Sequence, residues 1–382
     1  MSAGTALGRG PAGIERLVFL TSAWPFPADD GQKVVVAGYH DAARACGMEV
    51  EILLARPEMP RRSGMFRRAL ALLGRLNPFS GFHADERLPD DAGLGAPGGP
   101  RTALFVTPAR LLRLACELRR SRPDVPVALL LNDAKWPMYL EALCYGLGLR
   151  RGGSLQDLLR GLLLPVTVLR ELLAYRAADS IVVQTPRERR RLPWIADRVV
   201  VATNAVARPE QEWCGQESRS LAMHVNLTGR RARRYAPFVE HVWPQVLARR
   251  PDLRLDLFGP VGDTLPSWIT AAPGVTCHGR VGDLDAFLAA RRLLVMPLEH
   301  GTGVSNIVLR GLALDIPMVI SLASSHGVRS VTPLGAAVRV ASRPRDYIDG
   351  VDELLRMDHQ AQPRAIGSTA ANLSAILRSL AA

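Results

Sequence analysis

The chain has 382 residues, 48% of them hydrophobic and 22% charged, with glycine and proline scattered throughout, which describes globular domains and excludes a disordered or fibrous chain. The length is too great for one ordinary core, so two domains are expected. The formal charge of +12 is carried almost wholly by arginine, since Lys33 and Lys135 are the only lysines; it implies a basic surface facing phosphate, whether of a nucleotide, an anionic lipid or a nucleic acid.

Residues 17–22 read as a short buried strand closed by a Pro-rich turn, residues 32–46 as a helix and residues 49–54 as a second strand. Residues 55–100 are rich in Arg, Pro and Gly and break the rhythm. It resumes with a strand at 103–106, a helix at 108–119 and a strand at 127–131, followed by a helix at 154–176, a strand at 180–184, a helix at 187–192 and a strand at 199–202. This β-α alternation predicts a parallel sheet with helices on both faces. Residues 207–219 are polar and aperiodic and predict a linker. A second series follows, with strands at 221–227, 253–258, 293–296 and 318–321 and helices at 237–248, 284–290 and 306–314. The expected architecture is α/β, two doubly wound Rossmann-like domains facing a cleft, with domain bounds 1–206 and 221–360 around a linker at 207–220.

Five widely spaced cysteines without a CxxC pair suggest neither zinc nor a disulfide framework, and they fit a reducing cytoplasm. The apolar run 17–20 is too short for a secretion signal. The longest apolar stretch, 161–174, is cut by Pro165, Arg170 and Glu171 and falls short of the roughly 20 residues a membrane span needs. Residues 61–79 place leucines among Arg61, Arg62, Arg67, Arg68 and Arg75, a pattern that suits an anionic bilayer surface or a helix docked by its apolar side. No helix-turn-helix, zinc or RNP pattern is present and aromatics are few, so no nucleic-acid partner is expected.

The run MPLEHGTGVSNIVLRGLALDIPMV, residues 296–319, resembles the donor-site signature of GT-B glycosyltransferases of family 4, also called glycosyl transferases group 1. Pro297, Leu298, Gly301, Thr302, Gly303, Val304, Leu309, Leu312, Ala313, Pro317 and Val319 match in one register. Residues 19–53, 178–192, 199–206, 258–260 and 278–288 resemble further family segments in family order. The resemblance implies a nucleoside diphosphate sugar as donor, no cofactor and no metal, a first domain on the acceptor side, and a C-terminal helix within 361–382 that returns to it.

A Gly-Thr-Gly turn opening a helix lets backbone N–H groups approach a diphosphate, and the helix dipole adds partial positive charge. The resemblance assigns Gly229, Arg280, Val281, Glu299, Gly301, Thr302, Gly303, Val304, Ser305, Asn306 and Arg310 to donor binding, and Gly31, Asp133, Arg230 and Arg234 to catalysis, the two arginines holding the leaving phosphate. Asp133 reads equally as a helix N-cap, and His278 as part of a polar turn. The chain departs from the signature at Ile307, where the family has Lys, at Arg310 for Glu, at Gly311 for Ala and at Asp315 for Gly. Arg310 is then either a substitute phosphate ligand or a solvated helix residue in a site that has lost its donor, and Glu299 and Asn306 are the candidates for the ribose contact. The function implied is sugar transfer with retention to a lipid-linked or glycan acceptor, peripheral to the inner face of the cytoplasmic membrane. The alternative is an inactive pseudo-glycosyltransferase serving as a binding or scaffolding partner.

Overall fold

The computed structural model of the chain describes residues 13–26, 31–57, 86–88, 92–95, 99–131, 136–149, 158–159, 161–298 and 304–381. Two units result, Met1–Ala202 with Thr369–Ala382, and Thr203–Ser368. The amphipathic segment 61–79 lies outside the described residues.

In the first unit β1 (Arg16–Thr21) leads to α1 (Gly31–Ala45) and β2 (Glu49–Leu54); β3 (Arg56–Pro57) and β4 (Glu86–Arg87) form a small antiparallel pair. Next come β5 (Thr102–Thr107), α2 (Leu112–Arg119), β6 (Val127–Leu130), α3 (Trp136–Gly146), α4 (Leu164–Tyr175), β7 (Ser180–Val183), α5 (Pro186–Arg190) and β8 (Val199–Val201). The six longer strands form a parallel sheet of order β2-β1-β5-β6-β7-β8. β5, β6 and β7 are buried at every position because helices cover both faces, which is why they read as unbroken apolar runs. Alternation sorts their side chains: Val18, Leu20, Leu104 and Val106 face one core, and Leu17, Phe19, Ala103 and Phe105 the other.

The helix expected over 154–176 is interrupted: residues 158, 159 and 161 are helical, residues 162 and 163 turn, and α4 starts at Leu164 with Pro165 in its first turn, where the missing N–H costs nothing. The sequence pattern gave α3 no range, although the N-cap reading of Asp133 implies a helix just after it. Its start is pinned by Trp136, whose backbone N–H donates to Glu171 at 3.3 Å and whose indole donates to the Arg191 carbonyl at 3.2 Å.

The second unit repeats the plan with β9 (Ser220–His224), α6 (Trp243–Arg249), β10 (Arg254–Phe258), α7 (Ser267–Thr270), β11 (Val275–Gly279), α8 (Leu284–Ala289), β12 (Leu293–Met296), α9 (Asn306–Leu314), β13 (Met318–Ser321), α10 (Leu322–Arg329), β14 (Val338–Ala341) and α11 (Pro344–Arg356). Its parallel sheet has the order β11-β10-β9-β12-β13-β14. Before α6 the chain makes a π turn over Phe238–Val242, since Pro244 offers no N–H to an ordinary helical ladder. Residues 207–219 are docked on this unit: the Trp213 indole donates to the Arg291 carbonyl at 2.8 Å, and a Cβ on Gly215 would lie 2.0 Å from that same oxygen.

Two departures from the family signature have local reasons. A Cβ on Gly311 would stand 2.6 Å from Met318 Sδ and 3.1 Å from Leu294 Cδ2, so glycine lets α9 pack against both side chains without moving them. Asp315 ends α9 in the left-handed region at φ 55°, a conformation that costs any residue with a Cβ. Its carboxylate offsets that cost by accepting from the Gln362 N–H at 3.0 Å.

The last helix, α12 (Thr369–Ala381), belongs to the first unit, where Leu373, Ile376 and Leu377 are fully buried with Phe19, Val36 and Tyr39 of β1 and α1.

Candidate functional site

In the second sheet the strand order reverses between β9 and β12, so the loops leaving their carboxyl ends diverge to opposite sides. An open α/β sheet gathers its ligands in the crevice at such a point. Residues 225–234 leave β9 there and residues 297–305 leave β12, and the family signature and the arginine-rich segment sit on these two loops.

On the β12 side Ser305 caps α9, its hydroxyl accepting from the Val308 N–H, and the first turn holds no acidic residue, so its positive end is uncompensated. Val304 is buried beneath the cap. Asn306 accepts from the Asn204 amide at 2.6 Å. Ile307 is half-buried against the core, which takes an apolar side chain where a lysine would stand. Glu299, Gly301, Thr302 and Gly303 lie outside the described residues.

Arg310 lies side-on to Asp285 in the first turn of α8. Its Nε donates to Oδ1 and its Nη2 to Oδ2 at 2.7 Å, and Nη1 stays outside the pair. The Asp285 side chain is 13% exposed and that of Arg310 42%, so the carboxylate is enclosed and the cation faces partly outward. Asp285 went unmarked in the sequence, because nothing in its spacing ties it to a residue 25 positions on.

On the β9 side Gly229 opens a 3-10 turn, Gly229–Arg234, anchored by buried Ala232 and Tyr235. That anchoring leaves Arg233 and Arg234 exposed; the side chain of Arg230 is outside the described set. His224 ends β9 and also escaped the sequence reading. It shares the face of Ala222, beneath α8 and α9, with its ring 5.3 Å from Phe258. Burial pushes its pKa down to about 4, so the imidazole is neutral near pH 7.

Arg280 and Val281 follow β11, an edge strand two places from β9, and Val281 packs in the same core as Val304 and Ile307. His278 is held 3.0 Å from the buried Asp256 carboxylate, which also accepts from Arg291 Nε at 2.6 Å while the Arg291 guanidinium stacks 4.1 Å over Phe287. That is a packing role.

In the first unit the order reverses between β1 and β5, and Gly31 opens α1 at that point. Thr107 ends β5 opposite Thr21, and its hydroxyl is buried without a hydrogen-bond partner among the described residues. Asp133 is outside the described residues.

The family model described as "Glycosyl transferases group 1" matches residues 219–357, the span that contains both loops of the reversal point. The second unit is thus similar to the group 1 glycosyl transferase domain over most of its length. Among solved structures, HepE of Anabaena in complex with UDP is similar at 13% identity over 95% of this chain and 94% of that one, with a TM-score of 0.54. Its complex with UDP-glucose gives 12% identity, 96% and 93% coverage and a TM-score of 0.54. Sucrose-phosphate synthase of Thermosynechococcus elongatus gives 13% identity, 96% and 94% coverage and a TM-score of 0.58. No curated protein sequence matches the chain. At these identities the structures establish the fold, GT-B, for both units, and the group 1 match locates the transferase signature in the second.

Proposed function

We propose that the protein transfers a sugar from a nucleoside diphosphate sugar, with UDP as the first carrier to test, to a lipid-linked or glycan acceptor with retention of configuration. The observation that carries this reading is the coincidence of the group 1 signature with the strand-order reversal at β9 and β12. HepE, similar in fold, binds UDP and UDP-glucose, which supports the uridine carrier.

Transfer of this kind asks for stabilisation of the departing diphosphate and for correct placement of the acceptor. The leaving group's charge would fall to the N–H groups opening α9, to Arg230 and Arg234, and to the outward edge of Arg310. No cofactor and no nucleic acid enters this scheme. The acceptor falls to the first unit, with Gly31 and Asp133. The charge of +12 supports work at the inner, anionic face of the cytoplasmic membrane, and no helix of the described residues is long and apolar enough to cross a bilayer.

A second reading, an inactive relative kept as a binding or scaffolding partner, is favoured by Ile307, which leaves a key cation position apolar and half-buried. Isothermal titration of the full chain with UDP, GDP and ADP decides between them. Binding of one, UDP by preference, supports the transferase; silence with all three supports the inactive partner.

A further inference from the structure

The first unit presents an apolar surface on a helical hairpin. Leu140, Leu147, Leu149, Leu159 and Leu162 are between 40% and 73% exposed, whereas Leu17, Leu104, Leu111, Leu114, Leu129 and Leu130 of the same unit fill its two cores. The hairpin's own packing explains why they are left out. A Cβ on Gly146 would stand 2.3 Å from Leu158 Cα, and one on Gly161 2.4 Å from Leu143 Cα. The end of α3 and the helical residues 158, 159 and 161 therefore meet backbone to backbone through glycine, and the leucines are not spent on holding them together.

In sequence, Arg150, Arg151 and Arg160, which lie outside the described residues, flank these leucines against Glu141 and Asp157. At the other end of α3, Trp136 stands 6.2 Å from the part-exposed Trp194, beside α5 with its exposed Arg187, Arg189 and Arg190. Leucine, tryptophan and arginine together form the composition that suits a bilayer interface, where apolar side chains enter the acyl boundary and cations meet phosphate. A second copy fits less well, since a two-fold contact sets each surface against itself and would bring like charges together around the leucines.

We propose that this hairpin is the surface by which the protein lies on an anionic phospholipid bilayer. The inference rests on the membrane contact proposed above and assigns it to α3 and the turn before α4 in place of residues 61–79. It is independent of whether the donor site is active.

The test is sedimentation of the full chain with vesicles of phosphatidylglycerol and phosphatidylcholine, and with phosphatidylcholine alone. The wild type should bind the anionic vesicles and lose them at high salt. Leu147→Asp with Leu149→Asp should lower that partition at least tenfold at an unchanged Tm, because both side chains already face solvent. Leu149→Trp should strengthen it. If the Asp variant binds like the wild type the hairpin assignment is overturned, and the membrane contact itself survives if changing Arg61, Arg62, Arg67 and Arg68 to Glu removes binding instead. A wild type that ignores anionic vesicles overturns both. A dimer that the Asp variant dissociates, with no vesicle binding, assigns the surface to a second copy. UDP titration of the same preparations keeps the donor question separate.

Discussion

Arg310→Ala separates the two things the structure makes this residue do. The pair with Asp285 is two-pronged, and the carboxylate is nearly enclosed while the guanidinium is not. Removing the arginine leaves Asp285 without its cation. A fully buried pair would cost 3–5 kcal/mol on such a change, but solvent reaches Arg310 and the amino end of α8 partly stabilises the orphaned carboxylate, so about 1–2 kcal/mol of unfolding free energy is expected. Urea denaturation measures it, and the double variant with Asp285→Asn should cost less than the two single changes added together. Ligand binding reports the other role. If the free Nη1 edge meets the diphosphate, Arg310→Ala weakens nucleoside diphosphate binding by about 1.5–3 kcal/mol, the range for a hydrogen bond to a charged group. The bare nucleoside should bind as before. Asp285→Asn should weaken diphosphate binding by less, since it loosens the arginine without removing it. Loss of stability with no loss of diphosphate affinity would refute the ligand role and leave Arg310 as a clasp between α8 and α9.

Two further outcomes follow from the same unit. His224 is neutral in the fold, with its pKa pushed down to about 4 by burial, and ordinary when unfolded, so the unfolded chain binds the extra proton as pH falls. Stability from this residue is complete above about pH 6.5 and is lost as pH drops toward about 4, by up to about 3 kcal/mol; in His224→Gln the fall in urea midpoint over that window should be shallower, and an identical slope would count against the assignment. Gly259 has φ 128°, and a Cβ there would lie 2.0 Å from the Val225 carbonyl, a backbone atom that cannot step aside. Gly259→Ala should therefore cost more than about 3 kcal/mol, combining strain with a forced shift of the β9 end; a thermal scan within a degree or two of wild type would contradict it.

The sheets were legible where burial on both faces writes unbroken apolar runs, as in β5 to β7 and β12 to β13; the doubly wound α/β architecture read from them is borne out, as is the GT-B fold that the resemblance implied. Edge strand β11 was given no range, because its residues alternate only between half-buried and exposed. The helix α3 was implied by the N-cap reading of Asp133 but its extent went unread, because it is pinned by Glu171 and Arg191, contacts that no local periodicity records. The donor signature was readable because its residues are contiguous on one loop and one helix, whereas Asp285 reaches Arg310 only once β12 has set α8 beside α9. This matters for how the departures are interpreted. Read along the chain, arginine for glutamate at 310 looks like the loss of a carboxylate from the donor site. In the fold a carboxylate stands within hydrogen-bond distance of that position, supplied by the neighbouring helix and held in place by the arginine itself. The position therefore keeps a carboxylate beside it, now on α8, while the guanidinium sits one turn into α9 with its Nη1 edge outside the pair.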